Sequence, residues 1–252
     1  MVARLGTGLG RMVRQFRALG PRQYIRYLSA RNGSEIALTV HGTPVWLRKG
    51  TPDLQVAVSC LGGEFEPLRH LLPKNYDGVI VDAGGYIGTA TLALRAMFPH
   101  ARLIVIEPSE GNLAVLRRNL DRVPGVEVVH GALVGTAGGT ISLKSRGTGE
   151  WGLTAVEDPQ DAGSAETLHQ VRGVTLGDLV GEAEDIGLLK LDIEGGEVAL
   201  IKEDAEALGR VEFIFAELHE RIVEGCERLF FEFSRNRHLI KGGGEKYLSI
   251  RR

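Results

Sequence analysis

The chain has 252 residues, a formal net charge of −2 and 25% charged residues, which suits one α/β domain with an N-terminal extension rather than two independent domains. Its two cysteines, Cys60 and Cys226, have no paired spacing, which argues against a disulfide framework or a cysteine metal site. No apolar run approaches the length of a membrane span, and the first residues lack a signal-peptide pattern. We therefore expect a cytoplasmic protein.

Charge is distributed unevenly along the chain. Residues 1–34 contain seven arginines and no acidic residue, so the remaining residues carry a formal charge of −9. An acidic body lacks the broad basic face that nucleic-acid binding requires, and we expect no nucleic-acid partner. These features do not predict an oligomeric state.

Apolar residues recur at helical spacings from Val2 to Leu19, with arginines around them, which predicts an amphipathic helix. Pro21 is expected to interrupt this helix before a second short one over residues 22–29. Two interpretations of the apolar stripe stay open. Either it packs on the chain's own domain, or residues 1–20 contact an anionic membrane surface.

The segment that follows this arm is predicted to cover the main domain. Residues 36–49 alternate as in a hairpin with its turn at His41–Pro44, and residues 61–72 are predicted to form a helix. We assign residues 1–75 to a basic arm and cap segment, and residues 76–252 to the ligand-binding domain.

The chain is organised around residues 79–89. The apolar triplet 79–81 is β-branched, which predicts a strand covered on both faces, and Asp82 marks the carboxyl end of that strand. Residues 89–97 are predicted to be helical, so the free N–H groups of the first helical turn point back toward the loop.

The loop between this strand and this helix contains Gly84, Gly85 and Gly88. Glycines remove side chains where a backbone turns sharply, approaches a ligand or packs against a strand. The dinucleotide fingerprint would have a glycine at its first place as well, and Ala83 stands there. The loop is therefore typical of a nucleotide site but poor as a dehydrogenase site.

A second strand, predicted at 103–107, ends in Glu107 and is followed by Pro108 and Ser109. Glu107 lies about nineteen residues beyond Gly88, the separation at which an acid binds a ribose diol in nucleotide-binding folds. A carboxylate suits that role because it can accept both hydroxyl protons.

Residues 110–120 predict a second helix and residues 126–130 a third strand. The alternation of strands and helices predicts a parallel sheet with right-handed crossovers. Ligands then belong at the carboxyl ends of the strands. His130, Gly131 and Ala132 lie at the end of the third strand, where a planar base would rest.

Residues 139–175 form the least regular part of the sequence, and long irregular loops often act as binding lids. Trp151, with glycines close on both sides, is either the anchor of such a lid or part of a plain surface loop. A helix is predicted to follow at 176–183.

Acidic residues cluster at the ends of the last two parallel strands. A strand predicted at 188–193 carries Asp192 and leads into Glu194, and the next strand is followed by Glu217 and His219. Alternation with period two predicts that Glu217 and His219 point the same way. Charge at such strand ends is costly unless a ligand is bound. No motif fixes the geometry of these four residues, so no metal site is predicted.

The remaining predicted elements complete the sheet. A strand at 213–216 precedes Glu217, and a helix is expected from about residue 222 to 236. Residues 238–240 and 246–250, joined through three glycines, predict an antiparallel hairpin.

Several segments resemble those of FkbM-type methyltransferases. They are VDAGGYIG at 81–88, IEPSEGNLAVLRRN at 106–119, KLDIEGGE at 190–197, and AELHE at 216–220. Family members often carry Asn where this chain has Tyr86. The resemblance implies a seven-stranded, Rossmann-like α/β fold whose sheet is mostly parallel with a C-terminal antiparallel hairpin. It also implies S-adenosylmethionine as the cofactor.

The resemblance further implies roles for individual residues. The three loop glycines would cradle the methionine part of the cofactor, Glu107 would hold the ribose hydroxyls, the backbone at Ala132 would meet adenine, and Asp192 would face the amino and sulfonium groups. The cofactor-binding residues expected in this way are Asp82, Gly84, Gly85, Tyr86, Ile87, Gly88, Glu107, Pro108, Ser109, Ala132 and Asp192.

Methyl transfer to a hydroxyl also requires that the hydroxyl lose a proton. The candidate catalytic residues are His219, Asp192 and Glu217, all at strand ends. His219 is preferred as the base because its unperturbed titration range suits neutral pH.

The function expected from the resemblance is O-methylation of a hydroxyl on a small-molecule or glycan acceptor, such as a sugar or a polyketide-like product. Gly85, Gly88 and Glu107 keep open an NAD(P)-dependent Rossmann oxidoreductase, although Ala83 and Asp192 argue against it. The basic arm keeps open a non-enzymatic module that binds a membrane or nucleic acid, but the acidic strand ends have no place in that interpretation.

Overall fold

The computed structural model describes residues 2–136, 138–145, 153–154, 167–181 and 185–252. Within these residues the helices are α1 (Val2–Ser29), α2 (Asp53–Ser59), α3 (Thr89–Met97), α4 (Glu110–Leu120), α5 (Leu176–Val180), α6 (Glu197–Glu203), α7 (Ala205–Arg210) and α8 (Cys226–Phe233). The strands are β1 (Glu35–Val40), β2 (Thr43–Arg48), β3 (Val79–Ala83), β4 (Arg102–Glu107), β5 (Val126–His130), β6 (Ala132–Leu133), β7 (Thr140–Ser145), β8 (Leu153–Thr154), β9 (Thr167–Val174), β10 (Ile186–Leu191), β11 (Phe213–Glu217), β12 (Arg237–Lys241) and β13 (Lys246–Arg251).

Seven strands form the main sheet in the order β12-β13-β11-β10-β3-β4-β5. Strand β13 runs antiparallel to both of its neighbours, whereas the pairs from β11 to β5 are parallel. The chain moves outward from β3 through β4 to β5 and then returns to the other side of β3 with β10. The carboxyl ends of β3, β4, β10 and β11 therefore meet at one edge, beside the point where the strand order reverses. The predicted fold class is confirmed.

The central strands are apolar because helices cover both faces of the sheet. All five residues of β3 and all six of β10 are buried. A β-branched run such as Val79–Val81 suits this position, since packing on both faces replaces water along the whole strand. Asp82 of β3 and Lys190 of β10 are the charged exceptions to this apolar pattern, and both are considered with the site below.

The N-terminal segment packs on the same domain. Helix α1 breaks at Gly20 (φ 68°, ψ 169°), just before Pro21, as predicted. Strands β1 and β2 form the predicted hairpin, but its turn contains only His41 and Gly42, both with positive φ, because Thr43 already pairs with β1. The buried residues of these elements form one apolar cluster with Ile87 of the glycine loop and with α4.

The predicted apolar stripe of α1 is only partly buried. Leu9 and Met12 are 64% and 52% exposed, whereas Leu19 is buried against the chain's own core. Contact of residues 1–20 with a membrane surface stays a prediction. Among the described residues, no helix combines the length and hydropathy that crossing a bilayer requires.

Three sequence predictions are wrong in this structure. Instead of a helix over 61–72, α2 is followed by a π-helical turn at Cys60–Glu64 and a 3₁₀ turn at Glu66–His70, because Gly63 (φ 107°) breaks the helical backbone. The helix expected from residue 222 begins only at Cys226, after Gly225 in the left-handed region.

The third correction concerns residues 139–175, which were predicted to be irregular. The described part of this segment contains strands β7, β8 and β9, and with β6 they form a four-stranded sheet in the order β6-β9-β7-β8. Pairing between distant segments stabilises these strands, which short-range periodicity does not reveal. Trp151 lies outside the described residues, so its role as a lid anchor stays a prediction.

Candidate active site

A cavity of about 530 Å³ lies at the edge where the carboxyl ends of β3, β4, β10 and β11 meet. Side chains of α2 and of the turn at Cys60–Glu64 form its opposite wall. A cavity of this volume suits a small molecule or cofactor. The position at the topological switch point is where the parallel-sheet topology predicts a ligand.

The glycine loop brings backbone to the wall of this cavity. Gly84 adopts φ 84°, and a Cβ at this position would collide with the carbonyl oxygen of Asp192. Gly85 packs so closely on the side chain of Val105 that a Cβ would collide there too. Both glycines are therefore required by packing as well as by the turn. They line the cavity together with Thr89 at the start of α3.

Glu107 projects from the end of β4 and is 4% exposed. Its Oε1 accepts hydrogen bonds from Ser109 N (2.9 Å) and Asn112 Nδ2 (3.1 Å), and its Oε2 accepts one from Tyr86 N (2.7 Å). Burial raises the pKa of Glu107 to about 7, although these hydrogen bonds oppose the shift. Since each carboxylate oxygen can accept about two hydrogen bonds, Oε2 retains capacity for a ligand hydroxyl.

A hydrogen-bond network connects Glu107 to the N-terminal segment. Asn112 accepts a hydrogen bond from Arg48 (2.9 Å), Arg48 also donates to Asp53, and the Tyr86 hydroxyl donates to Asp53 Oδ1 (2.5 Å). Asp53 is fully buried, and these bonds lower its pKa despite the opposing effect of burial. The sequence prediction missed Arg48, Asp53 and Asn112, because their separation along the chain gives no sign of contact.

Lys190 connects the glycine loop to the acidic end of β10. Its Nζ donates to the carbonyl oxygens of Gly84 (2.6 Å) and Ala83 (3.3 Å), and it lies 3.2 Å from Asp82 Oδ1 and 3.5 Å from Asp192 Oδ2. Burial would lower the pKa of Lys190, but the two carboxylates outweigh it and raise the pKa above its ordinary value. The sequence analysis did not single out Lys190, although a lysine inside an otherwise apolar strand is a signal that could have found it.

Asp192, Glu194 and His219 form a cluster beyond the end of β10. His219 Nε2 lies 3.6 Å from Asp192 Oδ1 and 3.7 Å from Glu194 Oε2, and His219 Nδ1 lies 2.9 Å from Glu197 Oε1. Burial would lower the pKa of His219, but the hydrogen bond to Glu197 and the neighbouring carboxylates raise it to about 9. Burial raises the pKa of Glu194 to about 7.

The remaining rim of the cavity contains Glu217, Lys246 and Glu64. Lys246 forms an ion pair with Glu64 and lies 3.7 Å from Glu217 Oε2. Burial and the neighbouring Asp192 raise the pKa of Glu217, against the effect of Lys246. This rim is polar and carries both signs of charge.

The structure separates the predicted site residues into two groups. Those that line the cavity are Gly84, Gly85, Tyr86, Glu107, Pro108, Ala132, Asp192 and Glu217. Those that lie behind its wall are Asp82, Ile87, Gly88, Ser109 and His219.

Residues of the second group support the site through other contacts. Asp82 binds Lys190 and Thr91, Gly88 packs against Leu120, and Ser109 caps α4. Strand β11 ends at Glu217, before His219, and the expectation that the two side chains point the same way stays a prediction. Which of these residues contact a ligand stays a prediction.

Comparison with known proteins identifies the family. Residues 82–246 match the family model of the methyltransferase FkbM domain. The chain is 28% identical over 145 residues to Methyltransferase 1 of Beauveria bassiana, covering 50% of this chain and 58% of that protein. It is also 28% identical over 162 residues to the hexuronic acid methyltransferase AglP of Haloferax volcanii, covering 63% of this chain and 64% of that protein. The chain thus spans about six tenths of the length of these curated relatives.

Among solved structures, the precorrin-6y C5,15-methyltransferase of Geobacter metallireducens is similar with a TM-score of 0.42 and 14% identity. The similarity covers 81% of this chain and 89% of that one.

The chemistry of the residues that line the cavity suits S-adenosylmethionine. Glu107 offers a buried acceptor for ribose hydroxyls, and the first turn of α3 offers N–H groups for a carboxylate. Asp192, at the opposite end, suits a cationic group. Given the match over residues 82–246, the chain belongs to the FkbM methyltransferase family, and its cofactor is S-adenosylmethionine.

Proposed function

We propose that this protein methylates a hydroxyl group of a sugar, glycan or polyketide-like acceptor. The observation that carries the proposal is one continuous cavity, which joins a carboxylate suited to a ribose at Glu107 with a polar, charged rim at Asp192 and Glu217. A methyl donor bound at the first end would present its reactive carbon toward the second.

The proposed cofactor-binding half of the cavity is formed by residues that are held in position by hydrogen bonds within the chain. We assign the ribose hydroxyls to Glu107, whose carboxylate is oriented by Ser109, Asn112 and Tyr86. We assign the adenine to the wall at Pro108 and Ala132, and the methionine part to the glycine loop and the start of α3. Lys190 fixes that loop through two of its carbonyl oxygens.

When bound, the sulfonium of the cofactor supplies the electrophilic methyl group. The protein must align the acceptor hydroxyl in line with the methyl, exclude water and remove a proton. Sequence reasoning favours His219 as the base, but His219 is 1% exposed and lies behind Asp192 and Glu194. We therefore propose that Glu217, which lines the cavity, takes the proton, and that His219 is a positioning residue.

The rim supports a hydroxyl-rich acceptor. Glu64, Glu194 and Glu217 can accept hydrogen bonds from hydroxyls, while Arg221 and Lys246 can bind acceptor oxygens or a carboxylate. The similarity to a hexuronic acid methyltransferase supports a sugar acceptor and suggests uronic acids as the first compounds to test.

The test uses S-adenosylmethionine labelled in its methyl group and a panel of uronic acids, glycosides, sugar nucleotides and polyketide alcohols. We expect label to enter a hydroxyl of one acceptor as S-adenosylhomocysteine forms. Glu217→Gln should lower the rate by about 100-fold or more with little change in S-adenosylhomocysteine affinity. Glu66→Gln, which changes an exposed carboxylate outside the cavity, should match the wild type.

Label on an amine or a carboxyl group would contradict the proposed acceptor class, and an unchanged rate in Glu217→Gln would contradict the proposed base. Calorimetry with NAD and with S-adenosylmethionine in parallel tests the oxidoreductase alternative. We expect heat of binding only with the methyl donor.

A further inference from the structure

The cluster of Asp192, Glu194 and His219 has a geometry that proton transfer alone does not require. One donor atom from each side chain lies within 4.8 Å of the donor atoms of the other two. His219 Nε2 is 3.6 Å from Asp192 Oδ1 and 3.7 Å from Glu194 Oε2. The two carboxylate residues line the cavity, and the imidazole lies directly behind them. The three atoms thus converge at the cavity wall.

His219 is held so that Nε2 faces this point. The side chain is 1% exposed, and its Nδ1 lies 2.9 Å from Oε1 of the fully buried Glu197. In the described part of the chain Nε2 makes no hydrogen bond, since the carboxylate oxygens it faces are 3.6 Å and 3.7 Å away. In metal sites, the ligating histidine uses one ring nitrogen for the metal and the other for a hydrogen bond to a carboxylate that orients the ring. His219 has this arrangement, with Glu197 on Nδ1 and two carboxylates facing Nε2.

The surroundings carry an excess of negative charge. Carboxylates of Asp82, Asp192, Glu194 and Glu197 meet at this strand end, and Lys190 is the ammonium group that contacts them among the described residues. Lys190 already pairs with Asp82. Four carboxylates close together in a partly buried site favour a bound cation, and Asp192 and Glu194 are the two of them that line the cavity.

We propose that Asp192, Glu194 and His219 bind one divalent cation at the wall of the cavity. Donor atoms around a cation of this size are about 3 Å apart, so side-chain movements of less than about 1 Å would bring the three atoms into a coordination shell. Two carboxylates with one imidazole suit a first-row cation such as Mn²⁺, and three protein ligands leave positions for water or an acceptor oxygen.

The role of this cation in catalysis rests on the proposed function. An acceptor hydroxyl that coordinates the cation becomes more acidic, because the cation stabilises the developing alkoxide. The O–H bond breaks as its proton passes to Glu217, the S–CH₃ bond breaks as the O–CH₃ bond forms, and a methyl ether and S-adenosylhomocysteine result. Binding of the cation itself requires neither acceptor nor cofactor.

The test measures Mn²⁺ binding by electron paramagnetic resonance and calorimetry on the full chain after treatment with a chelator and its removal. We expect one Mn²⁺ per chain. Asp192→Asn and Glu194→Gln should each weaken binding at least about tenfold, and Glu197→Gln by about 10–100-fold through loss of imidazole orientation. Glu64→Gln, which removes a carboxylate from the same cavity outside the cluster, should bind Mn²⁺ like the wild type.

Replacing His219 removes a buried group and risks misfolding, so the variants of Asp192 and Glu194, which lie at the wall, carry the test. Circular dichroism and thermal unfolding report that they are folded. Absence of Mn²⁺ binding to the wild type would overturn the proposal, and so would equal weakening by Glu64→Gln, which would indicate nonspecific attraction to an acidic cavity.

The catalytic role is tested separately from the proposed function. If chelator-treated protein methylates its acceptor at the full rate, the catalytic role of the cation is wrong and the proposed function stands. If Mn²⁺ binds as expected but no hydroxyl acceptor is methylated, the cation site stands and the proposed function is wrong.

Discussion

The two ends of the cavity hold carboxylates in opposite ways. At the cofactor end, Glu107 is buried, and both of its oxygens accept hydrogen bonds from Ser109, Asn112 and Tyr86. At the proposed acceptor end, His219 Nε2 lies 3.6 Å from Asp192 Oδ1 and 3.7 Å from Glu194 Oε2, beyond hydrogen-bonding distance. The first end is satisfied by the chain itself, whereas the second keeps like charges together.

This difference indicates which end of the cavity is rigid before a ligand binds. Hydrogen bonds to Glu107 fix the position of its carboxylate, so little ordering is required when a ribose arrives. At the proposed acceptor end, burial raises the pKa of Glu194 to about 7, so a bound cation or hydroxyl there would stabilise its ionised form. Lys190 lies between the two ends and contacts both, and its removal should have the largest effect.

Lys190→Met should destabilise the protein by about 3–5 kcal/mol, because Asp82 would remain buried without its counter-ion. Thermal unfolding should show a fall in Tm of about 10 °C, and Lys202→Met, at an exposed position of α6, should show none. The double variant Asp82→Asn/Lys190→Met should recover part of the loss. A Tm close to that of the wild type in Lys190→Met would show that Lys190 does not connect the two ends.

Glu107→Gln should weaken S-adenosylhomocysteine binding by about 10–100-fold, since Oε2 has capacity for one charge-assisted hydrogen bond from the ribose, worth about 1.5–3 kcal/mol. Calorimetry gives the affinity, and Glu110→Gln, an exposed carboxylate at the start of α4, is the control. An affinity within threefold of that of the wild type would contradict the assignment of Glu107 to the cofactor site.

The raised pKa of Glu107 predicts a pH effect on the cofactor half alone. In the ligand-free protein this carboxyl is mostly protonated below its pKa of about 7, and ribose hydroxyls require the ionised form. Affinity for 5′-methylthioadenosine, which lacks the amino acid part of the cofactor, should rise about tenfold from pH 6 to pH 8. Glu107→Gln should bind with no dependence on pH in this range. A flat profile for the wild type would contradict the prediction.

For the ligand-free protein, the linkage between proton binding and folding requires the opposite trend: stability should fall, not rise, as the pH increases. Because the folded-state pKa of Glu107 is raised above its unfolded value, the folded protein binds more protons between the two pKa values. The contribution of Glu107 to the free energy of unfolding is therefore largest below pH 4.5. It is lost as the pH rises toward about 7. Denaturant unfolding of the wild type and of Glu107→Gln at several pH values measures this difference.

Tyr86→Phe should have the smallest effect. The substitution removes the hydroxyl that donates to Asp53, but Asp53 keeps its hydrogen bonds from Arg48. We expect a loss of about 0.5–1.5 kcal/mol in stability, and S-adenosylhomocysteine affinity weaker by less than about tenfold. A loss above 3 kcal/mol would show that Arg48 alone does not satisfy Asp53. Tyr24→Phe, in α1 outside the cavity, is the matched control.

Sequence reasoning predicted the residues that meet at the cavity better around the glycine loop than in the N-terminal segment. Gly84, Gly85 and Glu107 follow strands at separations that periodicity reveals, and the structure brings all three to one cavity. The network through Arg48 and Asp53 was missed, because contact between the N-terminal segment and α4 depends on how the segments pack. The division of the chain into residues 1–75 and 76–252 stays a prediction.

By itself, the sequence determined the alternation of strands and helices over residues 79–130, the buried strand β3 and the acids at the ends of β10 and β11. Local propensity and apolar periodicity act over a few residues, so they can be read from the chain. Only the tertiary structure decided that Glu217 faces the cavity while His219 lies behind Asp192, and that Lys190 reaches the glycine loop. These relations depend on register and packing between segments that are separated along the chain, by 106 residues for Lys190 and Gly84, and no local pattern specifies them.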